Sequence, residues 1–344
     1  MDSDSRKLKI SLVAIQLFIL LSIISCTPFW TAPPITQSSK YAIHICKTGD
    51  TFEKLSLINY GERDKAWIIR EFNDKERISA GDEIIIPLID VSVGGIRPWG
   101  YQVVPILCYN QLATGANSKT AISVDSFEKQ MAFLKDKGYF VISLEDFFNF
   151  LNYNSPIPEK STVITFDGGW KSFYELAYPI LKHYGFTATL FIPTDFISAS
   201  LVNTPYSTMS WKSLYELGQN GFDIQSKTKT HVKLARKKDE TYPQYQKKLL
   251  KEFSESKKAI EKRIKKPVKF LAYPYNALNA DVIAMAKKAG YEGGLTTIPG
   301  QNPFFVCNFS INRIIITQEN DLESFASELR HLEKVNLTGY KIIP

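Results

Sequence analysis

Histidine and cysteine are scarce in this chain, four of each in 344 residues. Cys26, Cys46, Cys108 and Cys307 fall at unrelated spacings, so no disulfide framework follows. Cys108 sits inside the apolar stretch 103–109 and reads as a small core residue, not a reactive thiol. Long blocks of like charge are also missing. The net charge is +7, and the densest basic group, around Lys257, Lys258, Lys262, Arg263, Lys265 and Lys266, lies in a helical stretch beginning near Tyr242. No aromatic residues interleave with those charges, so they read as a solvated helix face and nucleic acid is excluded as a partner. What the chain does have is core material: 44% hydrophobic residues, with 22 Phe and 17 Tyr. Its length suits two folded units of unequal size.

The N-terminus carries Arg6, Lys7 and Lys9 ahead of an apolar run from Ile10 to Ser25, the basic and hydrophobic regions of an export signal over residues 1–25. Cys26 follows at once, and Ile23-Ile24-Ser25-Cys26 resembles the bacterial lipobox. That resemblance implies that Cys26 is lipidated and becomes the mature N-terminus; an uncleaved signal anchor is the alternative. Both readings export the rest of the chain, and the first ties it to a bacterial membrane on the periplasmic or extracellular face. Residues 26–40, rich in Pro, Ser and Thr, read as a tether.

From residue 41 to 88 the pattern is compact. Tyr41, Ile43 and Ile45 alternate as a strand, Gly49-Asp50 makes a turn, and Asp50 with Glu53 three residues on is placed to cap a helix that Tyr60-Gly61 ends. A second helix carries Trp67, Ile68 and Phe72 on one face. Gly81-Asp82 then leads into a strand at 83–86 that Pro87 stops. This βααβ order, with the segments KTGDTFEKLS, NYGERDKAW and ISAGDEIIIPL, resembles the LysM family. The resemblance implies binding of N-acetylglucosamine-containing chains such as peptidoglycan or chitin, with Gly49, Asp50 and Thr51 lining the groove beside residues 78–80.

After a Gly-rich linker at 89–100, apolar strands at 103–108, 140–142, 162–166, 187–192, 222–224, 269–272 and 311–316 alternate with amphipathic helices over 101–335. Gly138, Gly185 and Gly290 stand where helices close with a left-handed residue. Such alternation predicts a parallel α/β fold, a distorted (β/α) barrel with its chemistry just past the C-terminal strand ends. At those places stand TFDGGW with Asp167, IQSKTKTH with His231, and FLAYPYN.

With LKHYGFTATLFIP, VPILCYN and MSWKSL, these segments resemble the NodB-type polysaccharide deacetylase family in order and spacing. The resemblance implies removal of acetyl groups from N-acetylated sugars by a divalent metal, zinc for example, held by one carboxylate and two histidines beside a general-base aspartate. Transferred residue by residue, the base is kept as Asp167, but Gly168 stands in place of the ligand carboxylate. His231 is kept, while Lys227 replaces the other histidine. His44, His183 and His331 offer no substitute. The base-orienting arginine of the family corresponds to Ala272, and the family's C-terminal Leu-x-His has no counterpart, since LRHLEK reads as a surface helical segment. The backbone N–H of Tyr275 matches the family's oxyanion donor. Trp170, Trp211, Tyr273 and Tyr275 are placed to stack on sugar rings or to serve as core.

Three readings follow: a lipoprotein that binds N-acetylated polysaccharide with a metal-free, non-catalytic barrel; an active N-deacetylase with an atypical site; and an envelope structural protein anchored by LysM. No cofactor is expected under the first reading. There the Lys227 ammonium is expected either to pair with Asp167 in place of the cation or, after drift, to point to solvent.

Overall fold

The computed structural model describes residues 41–73, 75–88, 95–97, 100–114, 121–197 and 207–334. The proposed signal peptide, the Cys26 lipidation site, the 26–40 tether and most of the 89–100 linker lie outside them. The described residues form two compact units divided between residues 89 and 90.

In the smaller unit, β1 (Tyr41–Ile45) and β2 (Glu83–Pro87) pair antiparallel, with Ile43 opposite Ile85. Helices α1 (Phe52–Tyr60) and α2 (Ala66–Asn73) complete a βααβ order and share a core of Phe52, Leu55, Ala66, Ile69, Ile84 and Ile86. Asn73 holds the second strand by donating to the Ile85 carbonyl at 2.7 Å and accepting from its N–H at 2.9 Å. Two local expectations change. The N-cap of α1 is Thr51, whose hydroxyl accepts from the Lys54 N–H. The face α2 buries is Ala66 and Ile69, while Phe72 is exposed.

The larger unit is built on eight parallel strands. These are β3 (Ile106–Tyr109), β4 (Phe140–Val141), β5 (Ser161–Asp167), β6 (Thr189–Ile192), β7 (Asp223–Ser226), β8 (Phe270–Ala272), β9 (Gly293–Leu295) and β10 (Ile314–Ile315). The order is β9-β8-β7-β6-β5-β3-β10, with β4 also on β5. A single parallel bridge between Leu295 and Ile311 links the two ends of the sheet, so it curls into an incompletely closed barrel. The glycines closing the helices behave as their positions demand: Gly138, Gly185 and Gly290 have φ of 70°, 71° and 82°.

Two strands differ from expectation. Pro105 has no N–H to give a ladder, and the stretch 103–108 breaks there into an antiparallel strand, Gly100–Val104, and β3. The segment Leu332–Lys334, expected as helix, pairs with that antiparallel strand. β9 was not among the expected strands. Both glycines are required by close packing: a Cβ on Gly293 would lie 2.2 Å from Phe148, and one on Gly294 would lie 1.9 Å from the Tyr273 hydroxyl.

Strand alternation sorts the side chains into an outer and an inner set. Leu107, Ile164, Phe166, Leu190, Ile224 and Leu271 face outward into the helix-covered core. Ile106, Val163, Phe191, Phe270, Ala272 and Ile311 face inward, where Phe147, Phe148 and Phe150 of the helix Leu144–Leu151 join them. Phe148 stacks on Phe270 with centroids 4.4 Å apart. Each such buried ring contributes roughly 1.5–3 kcal/mol. The inner face continues two residues further along each strand toward its C-terminal end, and there the character changes from apolar to ionic.

Candidate active-site cleft

Asp167 closes β5, two residues beyond Thr165 and four beyond Val163 on the inner face, so the strand's own period aims its carboxylate into the barrel. Lys227 comes directly after β7, and its N–H donates to the Ile192 carbonyl at 2.9 Å, extending the ladder by one residue. Arg313 lies two residues past the inward-facing Ile311 and one before β10. The three meet. Arg313 donates through Nη1 to Asp167 Oδ1 at 2.8 Å and through Nη2 to Oδ2 at 3.0 Å. Lys227 Nζ donates to Oδ2 at 2.8 Å. Cys108 approaches the same oxygen with Sγ at 3.6 Å.

The guanidinium is fixed on its other side as well. Arg313 Nε donates to the Thr296 carbonyl at 2.9 Å, and the group lies 5.1 Å from the centroid of the Phe191 ring. Arg313 is fully buried, the Asp167 side chain is 6% exposed and that of Lys227 15%. Burial alone would raise the Asp167 pKa, but the charges of Arg313 and then Lys227 outweigh it and hold the carboxyl well below the usual range. Burial also pushes the Cys108 thiol up to about 12, which removes it as a nucleophile.

Arg313 was missed from sequence, where Ala272 marked the loss of an orienting arginine. The bidentate contact arrives from another strand. Its signal was present as one charged residue inside the apolar run 311–316, placed in register with the inner face.

Gly168 and Gly169 follow Asp167 with φ of 102° and 69°. This double left-handed turn folds Trp170 back toward the strand end. A Cβ at Gly168 would stand 2.3 Å from the indole Nε1, which itself donates to Asn110 Oδ1 at 2.5 Å. The position of the family's second aspartate is therefore filled by an indole as well as lacking a carboxylate. His231 stands on the loop after β7 with φ of 57°. Its imidazole is lowered to about 4 by burial first and then by the Lys227 ammonium, opposed by Asp167, and is neutral at pH 7.

These donors fit a divalent cation poorly. One imidazole, a carboxylate already engaged by two cations and an ammonium offer a metal too few free lone pairs. Among the described residues no three His, Cys, Asp or Glu side chains converge as a metal-ligand set.

The remaining residues singled out from sequence are spread more widely. Tyr275 occupies a turn with φ of 57°, and its ring is 5.1 Å from His231. Tyr273 is not available to a ligand: strand alternation turns it outward, it is 2% exposed, and its hydroxyl donates to the Phe309 carbonyl. Trp211 opens the helix Trp211–Gln219 and packs against Arg263, 4.5 Å from its ring. Arg263 is eleven residues beyond Glu252 on the helix Tyr242–Ile264, about 16 Å along it. That helix reaches the His231 loop through Glu252, Glu255 and Ser256, and Trp211 packs against its later end. In the smaller unit, Asp50 is committed to His44, Lys54 and the Lys47 N–H, all within 2.9 Å. Thr51 caps α1, and Gly49 turns with φ of 85°. A hollow of about 300 Å³ between Phe186 and Phe222 opens at the opposite, N-terminal strand ends and includes none of the ionic cluster.

Two predictions follow from this geometry. Arg313→Ala leaves Asp167 buried with half of its counter-charge and should cost about 3–5 kcal/mol in urea denaturation, since breaking a buried pair strands the remaining charge. His231 has a folded pKa below its unfolded value of about 6.5. Protonation therefore favours the unfolded chain, and stability is lost as pH falls from about 6.5 through about 4. In thermal melts His231→Gln should flatten that loss by a few degrees; an unchanged slope would contradict the assignment.

Known proteins share the fold of the larger unit. Residues 154–294 match the family model of polysaccharide deacetylase. The chain is 31% identical over 196 residues to the polysaccharide-deacetylase-type protein YxkH of Bacillus subtilis (strain 168), covering 57% of this chain and 65% of that protein. It is 29% identical over 215 residues to the poly-beta-1,6-N-acetyl-D-glucosamine N-deacetylase of Staphylococcus aureus (strain MSSA476), covering 58% and 69%. The chain thus spans a little under two thirds of the first of these relatives. Among solved structures, the Streptococcus pyogenes deacetylase PplD in complex with acetate superposes with a TM-score of 0.60 at 26% identity, over 66% of this chain and 98% of that one. The Bacillus cereus polysaccharide deacetylase BC0361 shares the fold, with a TM-score of 0.55 at 24% identity over 75% and 74%. Residues 154–294 thus carry the match to the polysaccharide deacetylase family, and strand order and superposition show that the larger unit has the fold of the NodB-type deacetylases.

Proposed function

We propose that this chain is an envelope lipoprotein that binds N-acetylated polysaccharide, and that its deacetylase-type domain holds the polymer without hydrolysing it. The observation that carries the reading is the Lys227 ammonium 2.8 Å from Asp167, in the place where the family has a metal-binding histidine. A deacetylase base must accept a proton from water near neutral pH. Asp167 is engaged by Lys227 and by both terminal nitrogens of Arg313, and these charges oppose its protonation. Gly168 supplies no second carboxylate, so metal activation of water has no ligand set to rest on.

The glycan preference is supported by the relatives, one of which is named for poly-β-1,6-N-acetyl-D-glucosamine. The βααβ unit at 41–88 acts in this reading as a LysM module that grips the same class of polymer, with lipidated Cys26 tethering both units to the membrane.

Two assays test the proposal together. Purified protein, incubated with N-acetylglucosamine oligomers and zinc, should release no more acetate than Asp167→Ala. In a pull-down on isolated sacculi the chain should sediment, and deletion of residues 41–88 should weaken but not abolish sedimentation. Acetate release abolished by Asp167→Ala, with stoichiometric zinc in the protein, would make the domain a working N-deacetylase. Sedimentation lost entirely without 41–88 would leave the barrel no glycan role.

A further inference from the structure

Four of the six non-glycine residues with positive φ among the described residues, Thr228, His231, Tyr275 and Asn276, sit on two neighbouring loops at one end of the barrel. Each left-handed residue carries a strain that the surrounding structure must hold in place, and such residues gather at ligand-binding sites. The braces can be named. Glu252, buried on the helix Tyr242–Ile264, accepts from the N–H groups of Lys229 and Thr230 at 3.1 and 2.9 Å and from the Thr230 hydroxyl at 2.8 Å. The His231 N–H donates to the Thr228 hydroxyl at 3.1 Å. On the other loop, Asn276 Oδ1 accepts from the Thr297 N–H and hydroxyl at 2.6 and 2.9 Å.

What these braces present is a row of rings. Tyr275 is 68% exposed, and its ring centroid is 5.1 Å from that of His231. Phe196, 40% exposed, is a second ring beside His231, at 6.0 Å. The three rings come from the loops after β6, β7 and β8, three adjacent strands, so they gather at the C-terminal end of the sheet, where Lys227 follows β7. A large ring held outward by strained backbone, as Tyr275 is, is costly unless something covers it. Their surroundings are charged: the Lys227 ammonium, one of whose three donors Asp167 takes, and the Asp195 and Lys229 side chains, 3.9 Å apart. Flat apolar faces with a hydrogen-bonding rim match a pyranose, whose C–H face is apolar and whose edge is polar. A lipid or apolar peptide would cover those charges without offering them hydrogen bonds.

We infer that Phe196, His231 and Tyr275 form a stacking platform for consecutive pyranose rings of an N-acetylhexosamine polymer, with Glu252 and Asn276 as positioning residues beneath it. The platform rests on the glycan-binding reading above. It gives His231, left without its metal partners, a role as a ring.

The full chain, labelled with ¹³C-histidine and ¹⁵N-tryptophan, is titrated with β-1,4- and β-1,6-linked N-acetylglucosamine tetramers and followed by NMR. The His231 ring and Trp170 indole resonances are assigned by their loss in His231→Gln and Trp170→Phe. The His231 ring signals should shift on titration. The midpoint of that shift should weaken about tenfold in Tyr275→Ala and in Phe196→Ala and stay within about twofold in Tyr275→Phe. Unchanged melting temperatures would establish that the alanine variants fold. If the Trp170 indole shifts while the His231 ring does not, and Tyr275→Ala binds normally, the glycan uses another part of the cleft and the platform is overturned. If neither barrel signal moves, the glycan-binding reading of the barrel falls with it.

Discussion

Removing a carboxylate from water costs several kcal/mol unless cations or donors replace the lost hydration. Asp167 meets that demand with Arg313 across both oxygens and Lys227 on one of them, and much of the cleft is arranged around this requirement. Arg313 can be fully buried only because the segment that closes the sheet, from Ile311 onward, brings it beneath the Thr296 carbonyl and onto the Phe191 ring. The same pairing that makes a buried charge tolerable opposes its use as a base. Two positive charges beside one negative leave the cleft floor with an excess positive charge even without a metal, which further discourages a cation.

Below that ionic layer the barrel interior is filled by phenylalanines from the helix Leu144–Leu151, and at its C-terminal end lie the loops that carry Phe196, His231 and Tyr275, the last two on left-handed backbone. Each layer is set by the strand period. Moving a strand by one residue would exchange Asp167 with Phe166 and Lys227 with Ser226, putting a charge into the helix-packed core. Fold stability and site geometry therefore rest on the same register.

Much of this was legible in the chain because it depends on local chemistry. Apolar runs separated by amphipathic helices gave the parallel strands, helix-closing glycines stood where αL residues were needed, and the Lys227–Asp167 pair was one of the two placements open to an ammonium beside a kept carboxylate. The misses all depend on partners distant in sequence. The need for glycine at 293 and 294 shows only once Phe148 and Tyr273 occupy the space where their side chains would be. Arg313 reads as an isolated charge until Asp167, 146 residues earlier, is brought to it. Tyr273 and Tyr275 look alike two residues apart, yet one completes the outward alternation of β8 and the other sits in a left-handed turn facing solvent. Glu252, on a helix that reads as a charged surface, is turned inward to hold the His231 loop.

The central claim is that a lysine–carboxylate–arginine cluster occupies the ground a catalytic cation would need. Anomalous diffraction at the zinc edge, from crystals soaked in zinc chloride, measures it directly. The account predicts no anomalous peak beside His231 and Lys227 Nζ still within hydrogen-bonding reach of Asp167. A fully occupied zinc peak bonded to the His231 imidazole, with Lys227 displaced from the carboxylate, would contradict it.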